Sequence, residues 1–491
     1  MTATTSYKDK AYINGKWVAA ASGKTFAVTN PATGEVIGNV PDLSKEEVLE
    51  AVKAAEGAFP SWSNTPPKTR QDILVKFFNI MMERTEELSK LITLENGKPL
   101  ADATTEHKYS ASFMEWFGAE ALRMDGDVIA STIPGLRNIV IKQPIGVVGI
   151  ITPWNFPSAM ITRKVGPALA AGCTCVIKAP SDTPLSALEL MQIAEEAGVP
   201  AGVLNLITSK NSRMVAEILC THPVIKKISF TGSTGVGKQL MQQSSSTLKK
   251  LSMELGGNAP FIVFDDADID DAVKGCVIAK FRSSGQTCVC ANRIFVHSKV
   301  YDEFTSKLAD AVRGFKVGNG LDKGVTHGPL IHGRAVAKVK EHVDDAVAKG
   351  AKVLVGGKAG EGNFFEPTVL VDVPISAVVS KDETFGPLAP CFKFETEDEV
   401  IKLANDTEFG LAGYFYSRDI GRIWRVSEAL EVGMVCANSG ILSQATIPFG
   451  GVKESGFGKE GSKSRHQVLG APCRVSRSRS SCAAARVYHQ R

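Results

Sequence analysis

From Ile145 onward the chain alternates short β-branched runs with helical patterns of ten or more residues, the order that a parallel sheet with helices on both faces requires. GVVGIIT (146–152) reads as a buried strand and is followed by a helix running to Ala171. CTCVIK (173–178) is the next strand. Pro184 then opens a helix whose Leu185, Leu188, Met191 and Ala194 share one face and which Gly198 closes. VLNLI (203–207), a helix near 213–220, KKISF (226–230) and a helix from Gly235 complete a nucleotide-binding pattern. A second series starts at PFIVF (260–264). It continues through a helix from Asp268, RIFVH (293–297), a helix from Tyr301, KVLVG (352–356), LAPCFKF (388–394) and MVCAN (434–438). Two α/β units in series predict a cofactor domain and a catalytic domain with a cleft between them. Before residue 140 the chain reads as mostly helical after a strand pair formed by 11–18 and 25–28.

Several classes are excluded on physical grounds. No apolar run approaches the ~18–20 residues needed to cross a bilayer. The first residues, MTATTSYKDKAYING, lack the apolar core of a targeting signal, so a cytoplasmic protein is expected. The formal charge of +4 is uneven, because 464–491 holds six arginines and no acid. The remainder, with 50 basic against 52 acidic side chains, is near neutral, which argues against nucleic acid as a partner. Ten cysteines in 491 residues are too sparse for a disulfide scaffold, and no Cys/His spacing suits zinc, so no metal is expected.

The chemistry-bearing motifs are weak singly. GSTGVGK (232–238) has the GxxxxGK spacing of a phosphate loop but continues with Gln239, without the hydroxyl that holds magnesium. Its position between a strand and a helix still aims backbone N–H groups at a ligand. PWNFP (153–157) ends the first strand, where open α/β sheets bind ligands, and its Asn155 amide suits an oxyanion. MELGGNAP (253–260) places Glu254 at a strand end before two glycines, and SSGQTCVC (283–290) sets Cys288 behind a Gly-containing loop read as flexible.

Taken together, PWNFP, FTGS, MELGGNAP, GQTC, ETFGP (383–387) and PFGG (448–451) occur in the order and spacing of the aldehyde dehydrogenase superfamily, which the chain resembles from about Ala11 to Lys463. Within it the chain is most similar to the succinate-semialdehyde dehydrogenases. SAMITRKVGPALAAGCT (158–174), FRSSGQTCVCANR (281–293) and LAGYFYS (411–417) carry that likeness. The resemblance implies a Rossmann-type cofactor domain (11–124 and 146–255), an α/β catalytic domain (256–436) and a small oligomerisation β-element (125–145 and 437–463). It implies NADP and/or NAD as cofactor and succinate semialdehyde as substrate. Another aldehyde, or a catalytically inert structural role, is the alternative. Loss of Cys288, Glu254 or Asn155 would favour the inert role, and all three are present.

Roles follow by resemblance. Cys288 would be the nucleophile, since a thiolate adds to an aldehyde and the adduct can lose hydride. Asn155 and the Cys288 backbone N–H would hold the oxyanion, and Glu254 would activate water against the thioester. Lys178 resembles the family's proton relay and ribose ligand, and Glu383 the residue gripping the nicotinamide ribose, with Phe385 beside it. Thr152, Trp154, Gly232, Ser233 and Leu255 would line the same cleft. Ser181 stands where members that insist on NAD commonly carry Glu, so use of NADP is expected. Arg163, Arg282 and Ser443 would bind the substrate carboxylate, as guanidinium forks suit that group. Cys290, two residues from Cys288, either forms a strained, reversible disulfide with it or is only a packed residue. The family's C-terminal strand, which joins subunits, gives way after Lys463 to an atypical Ser/Arg/Ala-rich tail. A dimer or tetramer weakened by that tail is the expectation.

Overall fold

The computed structural model describes residues 7–463. Its first unit is built on a sheet of eight strands. In spatial order these are Lys16–Val18, Ala11–Ile13, Leu204–Ile207, Thr174–Lys178, Val147–Ile151, Ile225–Thr231, Lys250–Glu254 and Gly456–Phe457. The five central strands are parallel. Val147–Ile151 lies between strands wound in opposite directions, so the crevice beside its C-terminal end is the topological switch point at which such sheets bind ligands. Its residues are apolar because both faces are covered by helices. Ala159–Ala171 and Leu185–Ala197 end on Gly172 and Gly198, both left-handed, as the closing glycines in the sequence require.

The second unit carries a seven-stranded sheet ordered Lys352–Val355, Thr368–Val371, Leu388–Phe394, Ala291–His297, Ala259–Val263, Ala412–Tyr416 and Met434–Ala437. All its pairs are parallel except the one formed by the edge strand Lys352–Val355. The connector from Glu254 to Ala259 joins the sheets through Gly256 and Gly257. A Cβ on Gly257 would lie 2.4 Å from the Cys288 carbonyl oxygen, so this position needs glycine to let the two chain segments meet.

The N-terminal reading needs correction. Segments 11–18 and 25–28 do not pair with each other. Ala11–Ile13 folds back on Lys16–Val18 through Asn14 and Gly15, both at positive φ, and also joins the large sheet beside Leu204–Ile207. Thr25–Thr29 pairs instead with Val36–Pro41. Four helices follow, Lys45–Ser63, Pro67–Glu83, Thr85–Asn96 and Leu100–Ala121. Asp127–Ala130 and Arg137–Val140 then form a separate antiparallel hairpin. The tail 464–491 lies outside the described residues. Among the described residues no helix is long and apolar enough to cross a membrane, and no cluster of His, Cys, Asp and Glu could hold a metal ion.

Candidate active site

The turn leaving Val147–Ile151 carries Thr152, Trp154 and Asn155 into the crevice, and its rigidity comes from more than its prolines. The Trp154 carbonyl accepts from Asn96 Nδ2 at 3.0 Å and Thr183 Oγ1 at 3.3 Å, and the Asn155 carbonyl accepts from Lys98 Nζ at 2.7 Å. Lys98 is fully buried and paired with Glu106 at 2.5 Å. The other Glu106 oxygen accepts the backbone N–H groups of Ser158 (3.1 Å) and Ala159 (3.4 Å) at the start of the next helix. One ion pair therefore holds both ends of the loop. The Asn155 amide donates to the Gln286 carbonyl at 3.1 Å, two residues before Cys288. An amide nitrogen has two N–H groups, so one remains for a ligand.

Cys288 lies between the helix Ile269–Phe281 and the strand Ala291–His297. The intervening loop is not the flexible segment that its glycine suggests. Ser283, Ser284 and Gly285 are buried at positive φ, strained geometry for the two serines. Neighbours fix it: Asp102 accepts the Ser283 N–H at 2.7 Å, Ser284 Oγ donates to the Gly328 carbonyl at 2.9 Å, and Gln286 Oε1 accepts the Ile331 N–H at 3.0 Å. Burial pushes the Cys288 thiol up to about 12, against the pull of Arg163. Cys290 is a free, buried thiol whose Sγ donates to the Lys280 carbonyl at 3.2 Å. In this arrangement Cys290 is packed against a helix end and not bonded to Cys288.

Glu254 ends its strand, buried, with neither carboxylate oxygen hydrogen-bonded. Burial and then the charge of Glu460 push its carboxyl well above the usual range, opposed by Arg163, Lys164 and Lys459. A Cβ on Gly450 of the PFGG motif would lie 2.8 Å from Glu254 Oε1, which sets that motif against the base. Glu460 is ion-paired with both Arg163 and Lys164, and Lys164 also donates to Thr231 Oγ1 at 2.7 Å.

Two of the expected site residues have further partners. Arg163, expected at the substrate carboxylate, is also paired with Glu460 and lies over the Phe449 ring at 4.3 Å. Lys178, expected as proton relay and ribose ligand, donates from Nζ to Ser181 Oγ at 2.9 Å, and the lysines whose charges act on Glu254 are Lys164 and Lys459.

The cofactor side of the crevice gathers the remaining residues. Burial lowers Lys178 to about 8. Thr152 Oγ1 is buried without a partner. Trp154 and Phe385 meet edge to face at 5.7 Å, Phe385 at positive φ. Burial raises Glu383 to about 7, and its carboxylate accepts the Gly257 N–H at 3.3 Å. Gly232 donates its N–H to the Glu254 carbonyl at 3.0 Å, and Ser233 caps the helix Thr234–Ser244, against which Leu255 packs at Gly237. On the other side of Cys288 is a cavity of about 130 Å³. Arg163, Arg282 and Ser443 line it with Tyr109, Phe156 and Phe449, so the three sequence-assigned contacts converge on the nucleophile.

Residues 17–469 match the Aldehyde dehydrogenase family. The chain belongs to that family. This aldehyde dehydrogenase is 58% identical over 457 residues to the glutarate-semialdehyde dehydrogenase of Pseudomonas putida, covering 93% of this chain and 95% of that one. It is 57% identical over 459 residues to the succinate-semialdehyde dehydrogenase (NADP+) of Escherichia coli, with coverage of 93% and 95%. A crystal structure described as an E. coli NADP dependent enzyme superposes with a TM-score of 0.93 at 56% identity, covering 94% of this chain and 96% of that one. The fold is thus the aldehyde dehydrogenase fold.

Sequence reading of this aldehyde dehydrogenase missed Lys98, Glu106, Asp102, Lys164 and Glu460. Lys98 directly follows an Asn-Gly turn, and a lysine leaving a turn ordinarily signals solvent; only the contact with Glu106 reveals its burial. Lys164 and Glu460 meet across almost 300 residues of chain, a distance that no local pattern spans.

Proposed function

We propose that the protein oxidises succinate semialdehyde to succinate with NADP, and also NAD, as hydride acceptor, through covalent intermediates on Cys288. The observation that carries this reading is the cavity beside Cys288, which brings Arg163, Arg282 and Ser443 together with the apolar side chains of Phe156, Met160, Val289, Ile441 and Phe449. Paired guanidinium donors suit a carboxylate, and the apolar walls suit two methylenes.

The residues present fit a dinucleotide. Lys178 and Ser181 offer a cation and a hydroxyl, Thr152 has an unused buried hydroxyl, and Glu383 offers a carboxylate to ribose hydroxyls. When bound, the nicotinamide supplies the hydride acceptor. The chain's own residues do the rest. Cys288 gives its proton to water, the thiolate Sγ adds to the carbonyl carbon, and the new alkoxide is held by Asn155 and the Cys288 N–H. Arg163 favours the thiolate. The tetrahedral adduct expels hydride and becomes a thioester. Glu254 then takes a proton from water, whose oxygen replaces sulfur to release succinate. Burial raises the Glu254 carboxyl, so it must be ionised before it can take that proton.

A second reading, oxidation of glutarate semialdehyde, draws support from the P. putida relative. Tyr109 and Ser443 also border an outer groove of about 610 Å³, room for one more methylene. Steady-state assays of succinate semialdehyde, glutarate semialdehyde and butanal with both cofactors test the proposal. Highest kcat/KM with succinate semialdehyde and NADP is expected, whereas a preference for butanal would refute it.

We also infer the division into a cofactor domain (11–124 and 146–255), a catalytic domain (256–436) and a bridging element (125–145 and 437–463). The confinement of each large sheet mainly to one of these ranges supports it. Assembly as a dimer or tetramer is inferred from the hairpin, where Val128 and Ile139 are 81% and 71% exposed. Cytoplasmic residence is inferred from the described cysteines, all free thiols.

A further inference from the structure

The helix Leu100–Ala121 presents one face to the substrate cavity and continues past it. Asp102, Thr105 and Glu106 line the inner chamber, Ser112 and Trp116 line the outer groove, and Tyr109 borders both. Tyr109 therefore stands between them, as does Ser443, which also borders both. Its ring is held edge to face on Phe113 at 4.8 Å. Its hydroxyl is buried beside the Arg163 guanidinium, and its proton has no acceptor among the described residues.

Buried hydroxyls almost always have a partner, because water is lost and must be replaced. Here the orphan is not alone. Two more residues of the same cavity carry buried donors without an acceptor, Arg163 at Nη2 and Arg282 at Nε. The two arginines are engaged elsewhere, Arg163 with Glu460 and Phe449, Arg282 above the Phe156 ring at 5.8 Å. Three donors without an acceptor around one small chamber call for an anionic oxygen pair. Tyr109 is the neutral member of the set, and the one whose role nothing in the motif pattern suggested.

We propose that Tyr109 is a specificity-determining residue whose hydroxyl donates a hydrogen bond to the distal carboxylate of the substrate in the cavity. This rests on the reading of the substrate as a carboxylated aldehyde. The phenol O–H points its proton at one carboxylate oxygen while the guanidinium groups take the remaining lone pairs, so the carboxylate is fixed in position as well as in charge. The aldehyde carbon is thereby set at a defined reach from Cys288.

The test is Tyr109→Phe, which removes only the hydroxyl and keeps the ring on Phe113. It is compared with Arg282→Ala in steady-state assays of succinate semialdehyde and butanal with NADP. A hydrogen bond to a charged group predicts that Tyr109→Phe lowers the ratio of kcat/KM, succinate semialdehyde over butanal, by roughly 10- to 100-fold, carried mainly by KM. If Arg282→Ala lowers that ratio and Tyr109→Phe leaves it within twofold, the inference is overturned while the carboxylate reading stands. If neither variant moves the ratio, both fall together. If Tyr109→Phe lowers both substrates alike through kcat, the hydroxyl is structural and the inference is again overturned.

Discussion

Lys178 Nζ and Ser181 Oγ stand 2.9 Å apart where the strand Thr174–Lys178 leaves the sheet, and the Ser181 hydroxyl donates onward to the Ser209 carbonyl at 3.1 Å. A small neutral side chain beside a cation leaves room and charge for a 2′-phosphate. Ser181→Glu replaces that welcome with a carboxylate. It should lower kcat/KM for NADP by roughly 100-fold, since like charges in contact cost several kcal/mol, while NAD is retained or improved. Wild-type protein active with NAD and silent with NADP would contradict this.

Lys178 also predicts a pH effect. Burial lowers it to about 8, so its charge is present below that pH and lost above it. The Michaelis constant for NADP should therefore rise as pH passes upward through about 8, and that for NAD should rise less. Parallel pH profiles for the two cofactors would remove Lys178 from phosphate binding.

Cys288→Ala should abolish turnover. Glu254→Gln should leave acylation possible and deacylation slow, giving a burst of reduced cofactor followed by a low steady rate. Its raised ionisation predicts that wild-type deacylation slows as pH falls, because only the carboxylate accepts a proton from water. A Glu254→Gln protein with full steady-state activity and no burst would refute the assignment.

Arg282→Ala should lower kcat/KM for succinate semialdehyde by roughly 30-fold to a few thousandfold, the range for removing one partner of a buried charged hydrogen bond, with butanal far less affected. Arg163→Ala should differ, because it also uncovers Glu460. A lowered melting temperature and losses with both aldehydes are expected of it. Equal effects of the two variants, without a stability difference, would return Arg163 to a purely substrate-binding role.

Glu106→Gln tests the support of the oxyanion loop. It leaves the Lys98 charge buried without its partner, a change that ordinarily costs about 3–5 kcal/mol. The Asn155 loop should loosen, lowering kcat for every aldehyde alike. Calorimetry and kcat for two unlike aldehydes check this; selective loss with one substrate would oppose it.

Legibility followed burial. The strands after Ile145 could be read because residues covered on both faces must be apolar in continuous runs, as in 147–151 and 174–178. The first hairpin was misread because Asn14–Gly15 is a tight turn in its own right, so 11–18 supplies both of its strands. Cys288, Glu254 and Asn155 could be picked out because each ends or precedes a strand in a motif. The loop before Cys288 was misjudged for a different reason. A Cβ on Gly285 would lie 2.1 Å from the Gly386 carbonyl oxygen, so that glycine serves close packing and not freedom. Arg163 shows where sequence stops: the residue type announces a cation, but its partner Glu460 is brought to it only by the folded chain.

The edge of the cofactor sheet imposes an order in time on the making of this enzyme. Glu254 pairs in the sheet with Gly456, Ser455 donates to the Gly256 carbonyl across 199 residues, and Glu460 neutralises Arg163 and Lys164. At roughly 5–20 residues per second, that late segment leaves the ribosome on the order of tens of seconds after the general base. Until then a nascent chain holds its nucleophile and its base without the strand and counter-ion that set them.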